Sequence, residues 1–200
     1  MQYCFMASIL FNIMKKIVFV LLVMAFPFSM GYAQEVPKRK VQAVEVEVAG
    51  GIGIGLNKMG FDQNHLAYTF RIEPRYNFPS GAFDIGFGTQ FVRLDRSSLE
   101  PRQDYTSPSF QFYVVGDYNW RINNQLTLFC GIAAGVSWWT QTSSYSAFGA
   151  PDKWSPYIGP RIGLEAWDRL RFTVSLNLMN KETSFVGFNL GYAFGGKPLK

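Results

Sequence analysis

From residue 44 onward, large apolar side chains fall on every second position, in eight successive runs separated by turn residues. Strict alternation marks a strand with one face in an apolar environment, because successive side chains of a strand point to opposite faces. The runs cover 44–56, 68–78, 83–91, 110–120, 126–138, 158–166, 170–178 and 186–194. In the second, Tyr68, Phe70, Ile72, Pro74, Tyr76 and Phe78 alternate with Thr69, Arg71, Glu73, Arg75 and Asn77; Pro74 is the awkward member, since it withholds a ladder donor. No helical period interrupts the series, so an all-β chain is expected.

The connections alternate as well. Those after the second, fourth and sixth runs are tight (79–82, 121–125, 167–169), those after the first, third and fifth are long (57–65, 95–107, 140–153), and the seventh, 180–184, is intermediate. An antiparallel up-and-down meander built this way has one short-turn end and one long-loop end, as outer-membrane barrels do.

A soluble can with its apolar face inward is the competing arrangement, and the contents of the two faces decide between them. Eight strands enclose an interior just wide enough for side chains to fill it. Turning Phe83, Phe87, Phe91, Phe110, Phe112, Trp120 and Phe172 inward would overfill it. The opposite faces are rich in Gly and poor in the Lys, Ser and Thr that cover a solvated surface. The reverse orientation gives an eight-stranded transmembrane β-barrel with a band of Val, Ile, Leu and Phe toward lipid and small residues and mixed charges inside. Its lumen then receives Glu45, Glu47, Arg71, Glu73, Arg75, Asp84, Asp117, Arg161, Glu165 and Arg171. These are expected to pair, because an unpartnered buried charge is costly. The three-residue turn 167–169 sets Ala166 against Leu170, and so Glu165 against Arg171. Tyr76, Phe78, Phe83, Tyr118, Trp120, Tyr192 and Phe194 form an aromatic girdle at the short-turn end, with Tyr68, Phe91, Phe110 and Trp138 toward the other rim.

Ahead of the repeats, Lys15 and Lys16 precede the apolar stretch 17–28, and Gly31-Tyr32-Ala33 supplies a small-x-small cleavage pattern. This predicts a cleavable signal peptide over 1–33 and a barrel domain over 34–200, with both ends of the mature chain in the periplasm. Met14 stands where the charged region of the signal should begin, so 1–13, including Cys4, reads as an upstream extension of the true start. Residues 1–33 hold two of the 19 Lys+Arg and none of the 14 acidic residues, which leaves 17 against 14 and a mature charge of +3. Charges so few and so mixed exclude a nucleic-acid partner. Cys130 is then the only mature thiol, and the chain has one histidine, so neither a metal site nor any cofactor is expected.

The chain resembles the small eight-stranded outer-membrane barrels related to the transmembrane domain of outer-membrane protein A and to outer-membrane protein X. The likeness runs over about 42–194 and rests on architecture and on phrases such as Tyr157-Ile158-Gly159-Pro160-Arg161-Ile162-Gly163-Leu164-Glu165 and the closing Leu190-Gly191-Tyr192-Ala193-Phe194. One departure is that 195–200 follow Phe194, where such barrels often end on the aromatic residue read by the barrel-assembly machinery. The resemblance implies outer-membrane lipid and lipopolysaccharide as surroundings, and a monomer.

Some barrels of this architecture modify lipid A, which requires a nucleophile within reach of a base. His65, in Asn64-His65-Leu66-Ala67, is the sole imidazole and no His-x-Ser pairing follows it, so no catalytic residue is assigned and lipid modification ranks third. A narrow porin for ions or small solutes ranks second, since eight strands leave little continuous channel. A structural or surface-interacting, adhesin-like role ranks first, with a host or cell-surface ligand met by the long loops, which carry Glu100, Arg102, Tyr145 and Phe148. Arg93, Arg96, Arg102 and Lys153 are the expected contacts to lipopolysaccharide phosphates.

Overall fold

The computed structural model describes residues 43–56, 65–79, 82–99, 102–123, 125–143, 150–179 and 183–195; the side chains at 65, 96–99, 102–105, 141–143 and 150–152 are outside that description. The expected signal segment 1–33, with Cys4 and Met14, and the loop residues Glu100, Tyr145 and Phe148 lie outside the described residues.

Among the described residues eight antiparallel strands close into a barrel in chain order, with β1 pairing β8. They are β1 (Val44–Gly55), β2 (His65–Asn77), β3 (Phe83–Leu99), β4 (Arg102–Arg121), β5 (Leu126–Ser143), β6 (Ala150–Ala166), β7 (Leu170–Asn177) and β8 (Phe185–Gly195). Following paired residues once around, from Ala166 through Leu170, Tyr192, Val48, Ile72, Thr89, Phe112 and Val136 to Pro156, returns to β6 ten positions away (166 less 156). A stagger of that size over eight strands tilts each by about 40°, so one residue adds about 2.5 Å of height along the axis.

Two expected loops are instead strand. Residues 95–107 and 140–153 mostly continue the β3–β4 and β5–β6 ladders, with Asp95 opposite Thr106, Ser98 opposite Gln103 and Trp139 opposite Lys153. Alternation fades there because both faces leave the apolar environment, while the backbone ladder, which needs no side-chain pattern, goes on. His65 likewise begins β2, opposite Arg96, rather than ending a loop. Given the stagger, β3 to β6 end at least about 10 Å higher than β1, β2, β7 and β8. The long-loop end therefore carries a projecting four-stranded sheet.

The short turns hold the other end. Phe78 N donates to Phe83 O at 3.0 Å, and the Asn123 side-chain oxygen accepts from the Gln125 and Leu126 amides at 2.8 Å each. In the turn 167–169, Trp167 and Asp168 take φ of 56° and 54°, a region that Asp tolerates and Trp rarely adopts. Asp168 is secured by Arg121 of the neighbouring turn at 2.8 Å.

One seam is interrupted. β6 and β7 pair from Arg161–Ser175 down to Ala166–Leu170, and above that, among the described residues, only the Ile158–Leu178 bridge is made, in which each amide donates to the other's carbonyl. Backbone groups two residues apart point the same way, so Pro160 lies where a donor to Leu176 is needed and supplies none.

Candidate functional site

Alternation turns the two strand faces into two chemistries. Facing out are side chains such as Phe87, Val114, Ile132, Ile158, Phe172 and Leu190, between 40% and 63% exposed. Facing in are Glu45, Glu47, Arg71, Glu73, Arg75, Asp84, Asp117, Arg161 and Arg171, each at most 5% exposed, with Glu165 half-buried beside them.

Arg161 organises this cluster. Its Nη1 and Nη2 each lie 2.8 Å from a carboxylate oxygen of Glu73, and its Nε donates to Asp117 Oδ1 at 2.9 Å. Because β6 does not neighbour β2 or β4, these contacts cross the lumen rather than run along its wall. Arg171 joins Asp117, reaches Glu47 at 3.6 Å, and meets Glu165 at 3.6 Å from the strand directly across. Arg71 binds Glu47, and Arg75 lies 2.8 Å from Glu45 and 3.2 Å from Glu47. Like charges also face each other, Glu47 across from Glu73 and Asp84 across from Asp117. The guanidinium groups between them make this tolerable, since each touches at least two carboxylates and so offsets repulsion that would otherwise exclude a dry interior. Asn119 covers one oxygen of Asp84 at 2.8 Å.

Small residues and charges were the expected lumen contents, but large apolar and aromatic side chains also turn inward. Tyr113, Val115, Phe129, Trp139, Tyr157 and Phe185 are each at most 6% exposed. Their signal is weak in the sequence because each stands one position off a run of outward aromatics or in a stretch where both parities are apolar, as in Phe112-Tyr113-Val114-Val115. Glycines make the space. A Cβ on Gly88 would lie 2.3 Å from the Tyr113 ring, and one on Gly163 would lie 2.4 Å from that of Phe129. Tyr113 donates to Glu73 at 3.1 Å, and the Arg171 guanidinium lies 3.6 Å from the centre of the Phe129 ring, so these rings are built into the ionic cluster.

Directly above the charges lies a neutral layer. Tyr157 donates to Asn177 at 2.9 Å and Thr69 to Asn189 at 2.5 Å. Met179 packs against both apolar clusters, Ala67–Val92–Leu94–Phe185 and Tyr113–Val115–Ala133–Tyr157, and its sulfur accepts from Gln111 at 3.2 Å. A layer of this kind leaves the charges below it out of contact with water from the long-loop end.

Outside, aromatics gather in two zones. Tyr76 meets Phe78 edge-on at 5.4 Å, Phe83 meets Tyr118 at 4.7 Å, Tyr118 meets Trp120 at 4.4 Å, and Tyr192 meets Phe194 at 4.8 Å. Higher up, Phe91, Phe110, Trp138 and Trp154 occupy successive paired positions across β3 to β6, with centroids 5.1, 6.0 and 6.5 Å apart. Trp154, 66% exposed, belongs to this row although it falls between the expected loop 140–153 and the alternating run 158–166. Phe83 and Phe91 are eight residues apart on β3, about 26 Å along the strand and about 20 Å along the axis.

The four expected lipopolysaccharide contacts do not share one place. Arg93 points outward, two residues above Phe91, and donates through Nε to Asp95 at 3.0 Å. Lys153 shares the inward parity of Tyr157 and stands over the Trp139 ring at 5.5 Å, at the barrel mouth rather than on its outer wall. Arg96 pairs with Tyr105 in the projecting hairpin and Arg102 pairs with Leu99 at its top; their side chains, like that of His65, are outside the described residues.

No protein-family model matches the sequence, and no curated protein matches it. Among solved structures, Neisserial surface protein A is similar at 12% identity over 78% of this chain and 98% of that chain, with a TM-score of 0.54. Outer membrane protein OprG from Pseudomonas aeruginosa is similar at 8% identity over 80% of this chain and 99% of that one, with a TM-score of 0.47. Ail, the attachment invasion locus protein of Yersinia pestis, solved with the heparin analogue sucrose octasulfate, is similar at 13% identity over 78% and 99%, with a TM-score of 0.45. At these identities the likeness is one of fold, that of small eight-stranded outer-membrane barrels.

Proposed function

We propose that this chain is an integral outer-membrane barrel, exported by a signal peptide over 1–33, monomeric, with both mature ends in the periplasm, which acts at the cell surface through its projecting β3–β6 sheet. The observation that carries the membrane reading is the inversion of chemistry across the wall: paired charges inside, apolar side chains outside between two aromatic zones about 20 Å apart. A barrel dissolved in water would gain from the opposite arrangement, whereas hydrocarbon rewards this one. Insertion by the barrel-assembly machinery would read the closing Leu190-Gly191-Tyr192-Ala193-Phe194 from within the chain, since 195–200 follow it.

The neutral layer around Met179, Tyr113 and Tyr157 favours a plugged scaffold over a porin, since ions would have to displace packed rings to pass. No catalytic role is assigned. The surface role is supported by the extra height of β3 to β6, which the barrel itself does not need and which holds 96–99, 102–106, 141–143 and 150–152 above the aromatic zone as a platform. Fractionation with the outer membrane and a gel mobility that changes on boiling test the first part; a water-soluble periplasmic protein defeats it. Planar-bilayer recording tests the plug, which sustained conductance defeats. Replacing 97–104 by Asn-Gly leaves the barrel intact and is expected to abolish cell or matrix binding; unchanged binding removes the surface role from this hairpin.

A further inference from the structure

On the outer wall between β2 and β3 lies a cleft of about 450 Å³ lined by Tyr68, Thr69, Phe70, Phe91, Arg93 and Asp95. Its floor is aromatic and its upper rim carries a cation. Tyr68 and Arg93 are direct cross-strand partners, and so are Phe70 and Phe91, so Arg93 stands on the outer face just above the exposed Phe70 and the half-buried Phe91. Arg93 is 55% exposed yet held in orientation: Asp95 Oδ1 accepts from its Nε at 3.0 Å and is itself fixed by Thr106 Oγ1, also at 3.0 Å. With Nε engaged, the four N–H groups on Nη1 and Nη2 meet no partner among the described residues and are open to an external acceptor, in the fork geometry that matches two oxygens of a phosphate.

We propose that this cleft seats an anionic membrane lipid, its phosphate on the Arg93 Nη groups and its first acyl segment over Phe70 and Phe91. The inference rests on the membrane reading above and adds a ligand class to it. Height selects the lipid. Arg93 lies two residues, about 5 Å, above Phe91, at the level where hydrocarbon gives way to headgroups if the aromatic zone marks the interface. Asp95, higher still, repels a second anion and so sets the position at which the phosphate stops. A zwitterionic lipid brings its own cation to the same place and gains less from the arginine.

The test uses the full chain folded into nanodiscs of phosphatidylcholine with increasing phosphatidylglycerol, with retained lipid counted by native mass spectrometry. The wild type is expected to retain phosphatidylglycerol about tenfold better than phosphatidylcholine, the scale of one charge-assisted hydrogen-bond set, and Arg93→Gln to lose that preference. Phe91→Ala should weaken retention of both lipids, while Lys153→Gln, which removes a cation from the mouth, should change nothing. Equal retention of the two lipids, an Arg93→Gln variant that behaves as wild type, or a Lys153→Gln loss as large as that of Arg93→Gln overturns the proposal. So does inorganic phosphate displacing the lipid as well as free phosphatidylglycerol does, which would mean a bare anion site. A wild-type chain that fails to insert overturns the membrane reading and this one with it; a chain that inserts without lipid preference overturns this one alone.

Discussion

Arg161 on β6 holds Glu73 on β2 in a two-point fork, Nη1 and Nη2 each 2.8 Å from a carboxylate oxygen, so a principal contact of the lumen joins strands that are not neighbours. Its Nε serves Asp117 of β4 at the same time. Three strands on different sides of the barrel thus depend on one side chain for their closest approach. Removing it leaves Glu73 with Tyr113 and the more distant Arg71 and Arg75, and Asp117 with Arg171, so two buried carboxylates lose their best partner at once. Arg161→Met, which keeps the volume, is expected to cost about 3–5 kcal/mol. Arg161→Lys should cost less, because it keeps the charge and loses the fork. Urea unfolding in lipid vesicles, followed by tryptophan fluorescence and gel mobility, measures both. A loss below about 1 kcal/mol for Arg161→Met would mean that the carboxylates find other partners or water.

Gly131 lies directly across from Asp117, and a Cβ there would meet Asp117 Oδ1 at 1.8 Å. Asp117 cannot yield easily, since Arg161 and Arg171 hold it from two sides. Gly131→Val is therefore expected to lose about 1–3 kcal/mol by overpacking and to misplace the pair. Gly116, where an added Cβ meets nothing nearer than 3.9 Å, gives the control: Gly116→Ala should be tolerated within about 0.5 kcal/mol. Equal losses at the two sites would refer the effect to the backbone rather than to the charge cluster.

How far the sequence carries the structure depends on what surrounds each face. Where one face meets the apolar environment and the other the lumen, as from Tyr68 to Phe78, alternation fixes strand, facing and partner together, and the Glu165–Arg171 opposition follows from counting across the 167–169 turn. Beyond the aromatic zone the Asp95–Thr106 and Leu94–Ser107 pairs continue the ladder where no apolar environment sorts the two faces, so there is no alternation to read. The long-range contacts were not legible either. Arg161 could have met any lumen carboxylate on sequence grounds; the ten-residue stagger selects Glu73 and Asp117 by setting heights. Inward rings such as Tyr113 and Phe129 become readable only with their partners, Gly88 and Gly163, which occupy other strands.

Position along the wall should decide what a charge costs outside. Val114 and Phe87 are paired, and each lies midway along its strand between the lower and upper aromatic zones, Val114 being 52% exposed. Val114→Arg is expected to cost about 2–4 kcal/mol, Phe112→Arg, nearer the upper zone, somewhat less, and Asn123→Arg, in an exposed short turn, about 0–1 kcal/mol. Folding equilibria in lipid vesicles give the order. A flat profile would be evidence that this surface faces water, and would remove the support for the membrane reading.

The β6–β7 seam is the place where the closed ladder is thinnest, and Pro160 is the cause the geometry supplies. The Ile158–Leu178 bridge stands alone above it, three residues from the nearest pairing, so its two hydrogen bonds lack the neighbours that would hold them when they open. Pro160→Val keeps an outward apolar side chain of similar size and restores a donor toward Leu176. Net stability should change by less than about 1 kcal/mol, because the new hydrogen bond is offset by the wider freedom of the unfolded chain once proline is gone. Local opening is the more sensitive quantity. Hydrogen–deuterium exchange at the Ile158 and Leu178 amides should slow about tenfold in the variant, while amides of the continuous β4–β5 ladder, such as Val114 and Phe112, stay as they were. Exchange that is already as slow at Leu178 as at Val114 in the wild type would mean that the seam is held by something other than its backbone ladder, with the Tyr157–Asn177 contact the nearest candidate.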